Sequence, residues 1–232
     1  MKKSLWVAIA GALAVSVVAA SAQEVLSANT IGYIKKQLPA QGKLITVSVP
    51  LFNMTAANNV FSNLSLAAEA PVDSEVAFWD VGTQKWVGGA KKAKGGWVAN
   101  VVTQVVKVGE AFFIKGPATS TVPTEITIAG EVPDTGTQIR AIPGGNQLGI
   151  VANPYPADFV FGTSSLASNA TVDSEVAFWD VENQKWVGGA KKAKGGWAAN
   201  VVTQKVTATS GFFLKEYGTV TMWTNAKPYT WP

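Results

Sequence analysis

The strongest constraint on this chain is an internal duplication. Residues 72–104 recur at 172–204, and the two copies differ only at three pairs of positions, Gly82/Glu182, Thr83/Asn183 and Val98/Ala198. Weaker similarity extends outward, as in LITVSVP (44–50) and LGIVANP (148–154). A repeat of this length predicts two copies of one module. We place the modules at residues 23–125 and 126–232, with the boundary just after the Pro/Thr-rich stretch 117–124.

Apolar and polar side chains alternate with a period of two in several runs of each copy, for example in residues 45–50, 76–81 and 97–102. These runs are rich in β-branched and aromatic residues, and Gly, Asn, Asp and Pro separate them. The pattern predicts an all-β chain of two tandem antiparallel β-sandwich modules of jelly-roll-like form. Some strands are apolar on both faces, as Phe78 and Trp79 show at adjacent positions. The second face must therefore be covered by a loop, by the sister module or by another molecule.

The N-terminus has the pattern of an export signal. Lys2 and Lys3 precede an apolar stretch at residues 5–18, and Ala20-Ser21-Ala22 follows it. This pattern predicts a signal peptide over residues 1–22, cleaved before Gln23, because the apolar stretch is shorter than the roughly 20 residues that a membrane-spanning helix needs. We expect the mature chain to be secreted, to reside outside the cell or on its surface, and to contain no transmembrane span.

The composition restricts the possible chemistry. The chain has no histidine and no cysteine, which excludes Ser-His-Asp and Cys-His catalysis, imidazole and thiolate metal sites, and disulfides. No serine is followed by a lysine three residues later, so the Ser-x-x-Lys arrangement is missing too. We therefore predict that the protein is not an enzyme and uses no cofactor. Without Lys2 and Lys3 the net charge falls to +2, and a nucleic-acid partner is not expected at so low a charge.

The duplicated segment contains a nearly palindromic stretch, 85–97, with tryptophans near both ends. A turn at Lys91-Lys92 would place Trp86 opposite Trp97 and build a two-ring platform with lysines at its tip. Such a platform can stack on sugar rings or bind a polyanion. In the alternative interpretation the tryptophans cap the core and the lysines keep an exposed edge soluble. The candidate ligand or assembly contacts are Trp86, Lys91, Lys92, Lys94 and Trp97, with Trp186, Lys191, Lys192, Lys194 and Trp197 in the second copy.

Two carboxylate pairs are candidates for a metal site. Asp73 and Glu75 lie two residues apart, as do Asp173 and Glu175, so each pair shares one face of a strand. Their oxygens are suitable ligands for Ca²⁺, and two carboxylates can also serve as the acid and the nucleophile of a glycosidase. A solvated turn at the entry to the strand explains the same residues without any ligand.

Three motifs carry a family resemblance: SANTIGYIKKQLPAQGKLITVSVP at residues 27–50, an FWD strand followed by the tryptophan hairpin, and GEAFFI at residues 109–114. They resemble a group of uncharacterised secreted proteins of planctomycete and verrucomicrobial bacteria, which combine a signal peptide with two β-modules. Val108 stands in place of that group's proline, and the second copy has Ser210-Gly211 where the first has Glu110-Ala111. The resemblance implies an exported β-protein and brings no catalytic residue with it.

Two functional hypotheses follow. The first is a non-catalytic structural protein that self-assembles outside the cell into a filament or surface coat, with residues 23–34 adding a strand to the open sheet edge of a neighbour. Its partner is another copy of the same chain. The second is a bivalent carbohydrate-binding module, in which the two hairpins bind a repeating extracellular polysaccharide with avidity.

Overall fold

The computed structural model describes residues 30–51, 59–92, 96–192 and 195–230. The predicted signal peptide lies outside the described residues. Within the described part of the chain, no helix has the length and apolar character needed to cross a membrane.

The described elements form two series in the same order, except that the second has one additional short strand, β14. The first series is β1 (Ile31–Leu38), β2 (Leu44–Ser48), β3 (Asn59–Val60), a 3₁₀ turn (Phe61–Asn63), α1 (Ser65–Glu69), β4 (Glu75–Asp80), β5 (Lys85–Lys91), α2 (Ala99–Val102), β6 (Val105–Val106), β7 (Ala111–Lys115) and β8 (Thr124–Glu131). The second series is β9 (Thr137–Ile142), β10 (Leu148–Ala152), β11 (Phe159–Val160), a 3₁₀ turn (Phe161–Thr163), α3 (Ser165–Asn169), β12 (Glu175–Asp180), β13 (Lys185–Lys192), β14 (Gly196–Trp197), α4 (Ala199–Val202), β15 (Lys205–Val206), β16 (Gly211–Lys215) and β17 (Thr221–Ala226).

Every strand pair in these series is antiparallel, which confirms the all-β sandwich prediction. The central sheet of the first half has the strand order β2-β7-β4-β5, and that of the second half has the order β10-β16-β12-β13-β14. Each half also has a two-stranded ribbon, β1-β8 in the first and β9-β17 in the second. The ribbon and the short helix pack over the outer face of the central sheet.

The position of β8 corrects the predicted module boundary. β8 pairs along its whole length with β1, and its Ile126 and Ile128 belong to the hydrophobic core of the first half, called the first core. The predicted boundary after residue 125 therefore falls inside a strand, and the series changes at residues 132–136 instead. The Pro/Thr-rich stretch is a loop of the first half, where Pro117 and Ser120 accept hydrogen bonds from the backbone of Gly42 and Gln41.

Strand alternation divides each central sheet between two cores. In the first half Val76, Phe78 and Phe112 face the core under the ribbon. Their neighbours Ala77, Trp79 and Phe113 face the other way and meet Ile150, Ala152 and Phe213 of the second half in a third core. Since successive side chains of a strand point to opposite faces, this is the expected result for strands that are apolar on both sides. The second face of each sheet is covered by the sister half.

Hydrogen bonds across this third core occur in reciprocal pairs. Trp79 Nε1 donates to the carbonyl of Leu148 at 2.7 Å, and Trp179 Nε1 donates to the carbonyl of Leu44 at 2.7 Å. Gln84 both donates to and accepts from the backbone of Leu148, and Gln184 does the same with Leu44. Such reciprocity is the mark of an approximate twofold axis between the halves.

Candidate functional site

The predicted platform of Trp86 and Trp97 is wrong. In the structure Trp86 lies opposite Trp79 on β4, and Trp186 lies opposite Trp179 in the same way. Trp97 packs against the first core, where its Nε1 donates to the carbonyl of Ala67 at 2.8 Å. The prediction failed because the strand after the turn is very short: in the second half it consists of Gly196 and Trp197 alone, opposite Lys192 and Lys191.

Trp197 repeats the arrangement of Trp97 in the second half. Its Nε1 donates to the carbonyl of Ala167 at 2.7 Å, and its ring meets Phe161 edge to face at 5.0 Å. Both indoles therefore fix the short helices α1 and α3 to the cores, as the alternative interpretation of the tryptophans expected.

Two of the predicted contact lysines bind the ends of these helices. Lys92 Nζ donates to the carbonyls of Ala67, Ala68 and Ala70, at the C-terminus of α1. Lys191 Nζ donates to Ser168 and Ala170 at the end of α3. A cation at this position satisfies free carbonyls and interacts favourably with the helix dipole. Burial lowers the pKa of Lys92.

Lys92 and Lys191 are not equivalent in sequence, since the counterpart of Lys191 is Lys91. In the first half the β4–β5 register shifts between Val76 and Ala77, where Gly88 and Gly89 both have positive φ. In the second half β12 and β13 pair without a shift. A β-bulge thus moves the first-half lysines by one residue. The side chains of Lys91 and Lys192, and all of Lys94 and Lys194, lie outside the described residues.

Among the predicted contact residues whose side chains the structure describes, Trp86 and Trp186 are the most accessible, with 48% and 44% of their surface exposed. Each belongs to a cluster of six rings that spans both halves. Trp86 contacts Trp79, Phe113 and Phe213 with ring centroids 5.1, 5.5 and 5.9 Å apart. Trp186 contacts Trp179, Phe213 and Phe113 at 4.9, 5.0 and 5.8 Å. One side of each indole is thus fixed by the third core and the other side faces solvent.

The carboxylate pairs do not assemble a calcium site. Glu75 lies 3.5 Å from the ammonium of Lys115, and Glu175 lies 3.6 Å from that of Lys215. Asp73 and Asp173 occupy turn positions with φ of 72° and 69°. Nowhere in the described ranges do three carboxylates come together as metal ligands would.

A cleft with a volume of about 560 Å³ lies where the two halves meet. It opens beside the end of β4 and the loop before β7, and β9 and β10 of the second half close it. Its polar and aromatic lining comes from Trp79, Asp80, Gln104, Lys107, Glu110 and Arg140. Of these residues only Asp80 was a candidate from the sequence, as a further oxygen ligand beside the Asp73 and Glu75 pair.

Charged groups in the cleft are held in fixed positions. Arg140 Nη2 lies 3.2 Å from Glu110 Oε1, and burial lowers the pKa of Arg140 although Glu110 opposes the shift. The Asp80 carboxylate accepts hydrogen bonds from the backbone N–H groups of Gly82 and Thr83. These hydrogen bonds lower the pKa of Asp80 and keep it ionised.

The equivalent place in the second half has different chemistry. Thr207 and Ser210 occupy the positions equivalent to Lys107 and Glu110. Lys36 of β1 occupies the position equivalent to Arg140 of β9. Lys36 Nζ donates to the carbonyl of Thr209 at 2.7 Å, to the hydroxyl of Thr209 at 3.2 Å and to the hydroxyl of Ser210 at 3.1 Å. The Arg–Glu pair of one half is replaced by a lysine with neutral acceptors.

A second cleft, of about 370 Å³, is mostly apolar. Its lining includes Leu148, Ala177, Gly188 and Phe213, and the ion pair of Glu175 with Lys215 lies at its border. It adjoins the third core and offers few hydrogen-bonding groups.

Comparisons with protein-family models, with curated proteins and with solved structures find no match for this chain. The resemblance to secreted planctomycete and verrucomicrobial proteins therefore stays a prediction.

Proposed function

We propose that this protein is a secreted, non-catalytic structural subunit that self-assembles through the outer face of the β9-β17 ribbon. The single observation that carries the proposal is the exposure of large apolar side chains along that face. Ile139 is 61% exposed and Met222 is 52% exposed, whereas Trp223 on the opposite face is completely buried.

The ribbon has few of the features that protect sheet edges from association. Its outward positions include Ile139, Ala141, Met222 and Thr224, and none of them is charged. Each of its strands has one partner strand in the described sheet, so one edge of each strand is open. Edge strands of soluble proteins are commonly protected by lysine, proline or a bulge within the strand, and an exposed apolar face marks an interaction site.

A second copy of the chain is the occupant that we favour. The first-half ribbon also exposes apolar side chains, since Tyr33 is 71% exposed and Ile31 is 46% exposed. One molecule therefore presents two ribbon faces, one from each half. Two faces per subunit allow a chain of subunits to grow, and a single face would stop at a dimer.

We favour the ribbons over the central sheets as the assembly surface. The second faces of the central sheets are largely covered by each other in the third core, and of their large side chains Trp86 and Trp186 stay half-exposed. Ile31–Leu38 pairs with β8 of its own chain, which limits the strand exchange expected of residues 23–34 to the segment before β1. The part of that segment at residues 23–29 lies outside the described residues.

A pelleting experiment with paired variants tests the proposal. Ile139→Lys places a charge in the middle of the ribbon face and should move the protein from the pellet to the supernatant after ultracentrifugation. Val122→Lys is the matched control, because Val122 is 68% exposed in a loop and should leave the pelleted fraction unchanged. Equal pelleting of Ile139→Lys and the unmodified chain would contradict assembly through this face.

The half-exposed indoles of Trp86 and Trp186 favour a second candidate, the bivalent carbohydrate-binding module. Each half presents one indole with an open side, and indole rings stack on the apolar faces of sugars. Binding to an insoluble polysaccharide should disappear in Trp86→Ala/Trp186→Ala, with an unchanged circular dichroism spectrum. Retained binding by this double variant would remove the candidate.

A further inference from the structure

The cleft between the halves lies where the two central sheets differ in one detail. The ladder between β4 and β7 ends at the pair Ala77 and Phe113, whereas the equivalent ladder in the second half continues to Phe178 and Phe212. The first-half strands separate one pair earlier, and the cleft opens at that point. A smaller cavity of about 70 Å³ between Phe78, Val106 and Phe112 lies beside it.

Gly109 leaves room for the Arg140 side chain to line the cleft of about 560 Å³. A Cβ atom on Gly109 would lie 3.2 Å from Arg140 Cδ, and the residue has φ of +81°, a conformation that favours glycine. The arginine extends past it to the carbonyl of Val108 at 3.5 Å and to Glu110. Its guanidinium group is thereby held in the wall of the cleft by residues of the other half.

The charges of the lining are balanced. Lys107 and Arg140 contribute two cations, and Asp80 and Glu110 contribute two anions. A charged ligand would meet as many repelling as attracting groups. A ligand with hydroxyl groups can donate to the carboxylates and accept from the cations, while the faces of Phe78 and Trp79 suit its C–H groups.

We propose that this cleft is a binding site for one neutral sugar residue. Its volume of about 560 Å³ falls in the range of roughly 300–1,000 Å³ that small-molecule sites occupy, and sites of this kind occur preferentially where two domains meet. Arg140 is carried by β9 but lies on the face opposite Ile139, so a ligand in the cleft would not cover the outer face of the ribbon. The site is separate from the two exposed indoles, since neither Trp86 nor Trp186 lines it.

The proposal predicts one site per chain. At the equivalent place of the second half, Thr207 and Ser210 supply no charge, and the ammonium of Lys36 is engaged by Thr209 and Ser210. Equal binding by both halves is therefore not expected, although residues 72–104 and 172–204 are almost identical.

Titration of the Ile139→Lys variant, which is expected to stay a single chain, followed by ¹H–¹⁵N NMR tests the site without interference from assembly. The probes are glucose, galactose and N-acetylglucosamine, with glucuronate as the charged analogue. One of the neutral sugars should give saturable shifts with a stoichiometry of one, largest at the indole N–H of Trp79, the side-chain amide of Gln104 and the backbone of Gly109. Glucuronate should bind at least tenfold more weakly than that sugar.

The equivalent place of the fold suggests a triple variant, called the transplant variant, in which three residues of the cleft are replaced by their counterparts. Lys107→Thr/Glu110→Ser/Arg140→Lys gives this cleft the residues that occupy the equivalent place of the fold, Thr207, Ser210 and Lys36, so the combination is already tolerated by this fold. It should reduce the affinity at least tenfold. Glu182→Gly, which gives the second half the residue of Gly82, is the control and should bind the sugar as the unmodified chain does.

Four results would overturn the proposal: no saturable shift with any of the three neutral sugars, two equal sites, preference for glucuronate, or unchanged affinity in the transplant variant. Lys107→Thr alone keeps the Arg140–Glu110 pair and serves if the triple variant does not fold. It should weaken binding at least threefold, and an unchanged affinity in this single variant would equally contradict the site.

Discussion

The Cβ atom of Ala111 occupies the space that a side chain on Gly211 would need. These two residues are sequence equivalents in β7 and β16, and they face each other where the central sheets approach most closely. One of the pair has to be glycine because two Cβ atoms do not fit between the sheets. The difference between the copies at this position is therefore a requirement of packing the halves face to face.

The first prediction concerns this contact. Gly211→Ala should lower the free energy of unfolding by about 1–3 kcal/mol, the usual cost of overpacking, because the new methyl group meets Ala111 and the carbonyl of Val151. Adding Ala111→Gly should restore most of the loss. Urea denaturation measures both, and Gly136→Ala, which has open space around it, is the control. A double variant no more stable than Gly211→Ala would show that the halves do not pack in this way.

The second prediction concerns the reciprocal glutamines. Gln84→Ala and Gln184→Ala each remove two hydrogen bonds to a backbone of the other half, and each should cost about 1–2 kcal/mol of unfolding free energy. Gln138→Ala, which removes an exposed bond to Thr135, should cost much less. Thermal unfolding compares the three variants. Losses that differ strongly between Gln84→Ala and Gln184→Ala would argue against the approximate twofold relation.

The third prediction is a dependence of stability on pH caused by Lys36. Burial lowers the pKa of Lys36 to about 7, while an unfolded lysine titrates near 10.5. Between these values the unfolded chain binds more protons than the folded chain, so this group makes the unfolding free energy rise with pH, by at most about 1.4 kcal/mol per pH unit. The contribution is constant below about pH 6.

Lys36→Met should flatten this rise, because methionine does not titrate, and the carbonyl of Thr209 keeps its hydrogen bond from the backbone of Ser48. Urea denaturation of both proteins at pH 6, 7.5 and 9 is the measurement. Parallel curves for the two proteins would contradict the assignment to Lys36.

The fourth prediction tests the one-residue slip in the duplicated hairpin. Lys92→Met and Lys191→Met should each lower stability by about 1 kcal/mol, since each removes a cation from the end of a helix. Hydrogen exchange of the amides in α1 and α3 measures the local effect. An effect of Lys91→Met on α1 as large as that of Lys92→Met would show that the first-half register is not shifted.

The two-faced character of the strands was readable from the sequence. Adjacent apolar residues such as Phe78 and Trp79 require that both faces of the strand be buried. The pattern allowed three ways to bury the second face, by a loop, by the sister module or by another molecule, and the structure shows the sister half. Choosing among them required the reciprocal bonds of Trp79 and Trp179, which join positions 69 and 135 residues away. Short-range periodicity carries no information about partners so distant.

The hairpin shows why near-identity does not guarantee identical structure. Gly189 lies against Ala198, with 2.9 Å between a Cβ on Gly189 and the Cβ of Ala198, and the first half has the larger Val98 at that position. A regular strand fits beside alanine in the second half, whereas the first half adopts a bulge at Gly88 and Gly89. The replacement of Ala198 by the larger Val98, outside the strand, thus accompanies a change of register within the strand.

The cleft was missed because three of the charged residues that line it, Lys107, Glu110 and Arg140, lie outside the duplicated segment. Glu110 and Arg140 are 30 residues apart and meet only when β9 packs against the loop before β7. A signal was present in the sequence: the copies differ in charge at Val105/Lys205, Lys107/Thr207 and Glu110/Ser210, directly after a segment in which they are almost identical. Such a cluster of charge differences marks a place where the two halves differ in surface chemistry.

The most direct test of the proposed assembly is the molar mass of the chain beginning at Gln23, measured by multi-angle light scattering over a hundredfold range of concentration. A self-assembling subunit should show a mass that rises with concentration to many times that of one chain, and Ile139→Lys should hold it near the mass of one chain. A single-chain mass for the unmodified protein at every concentration would contradict the structural role.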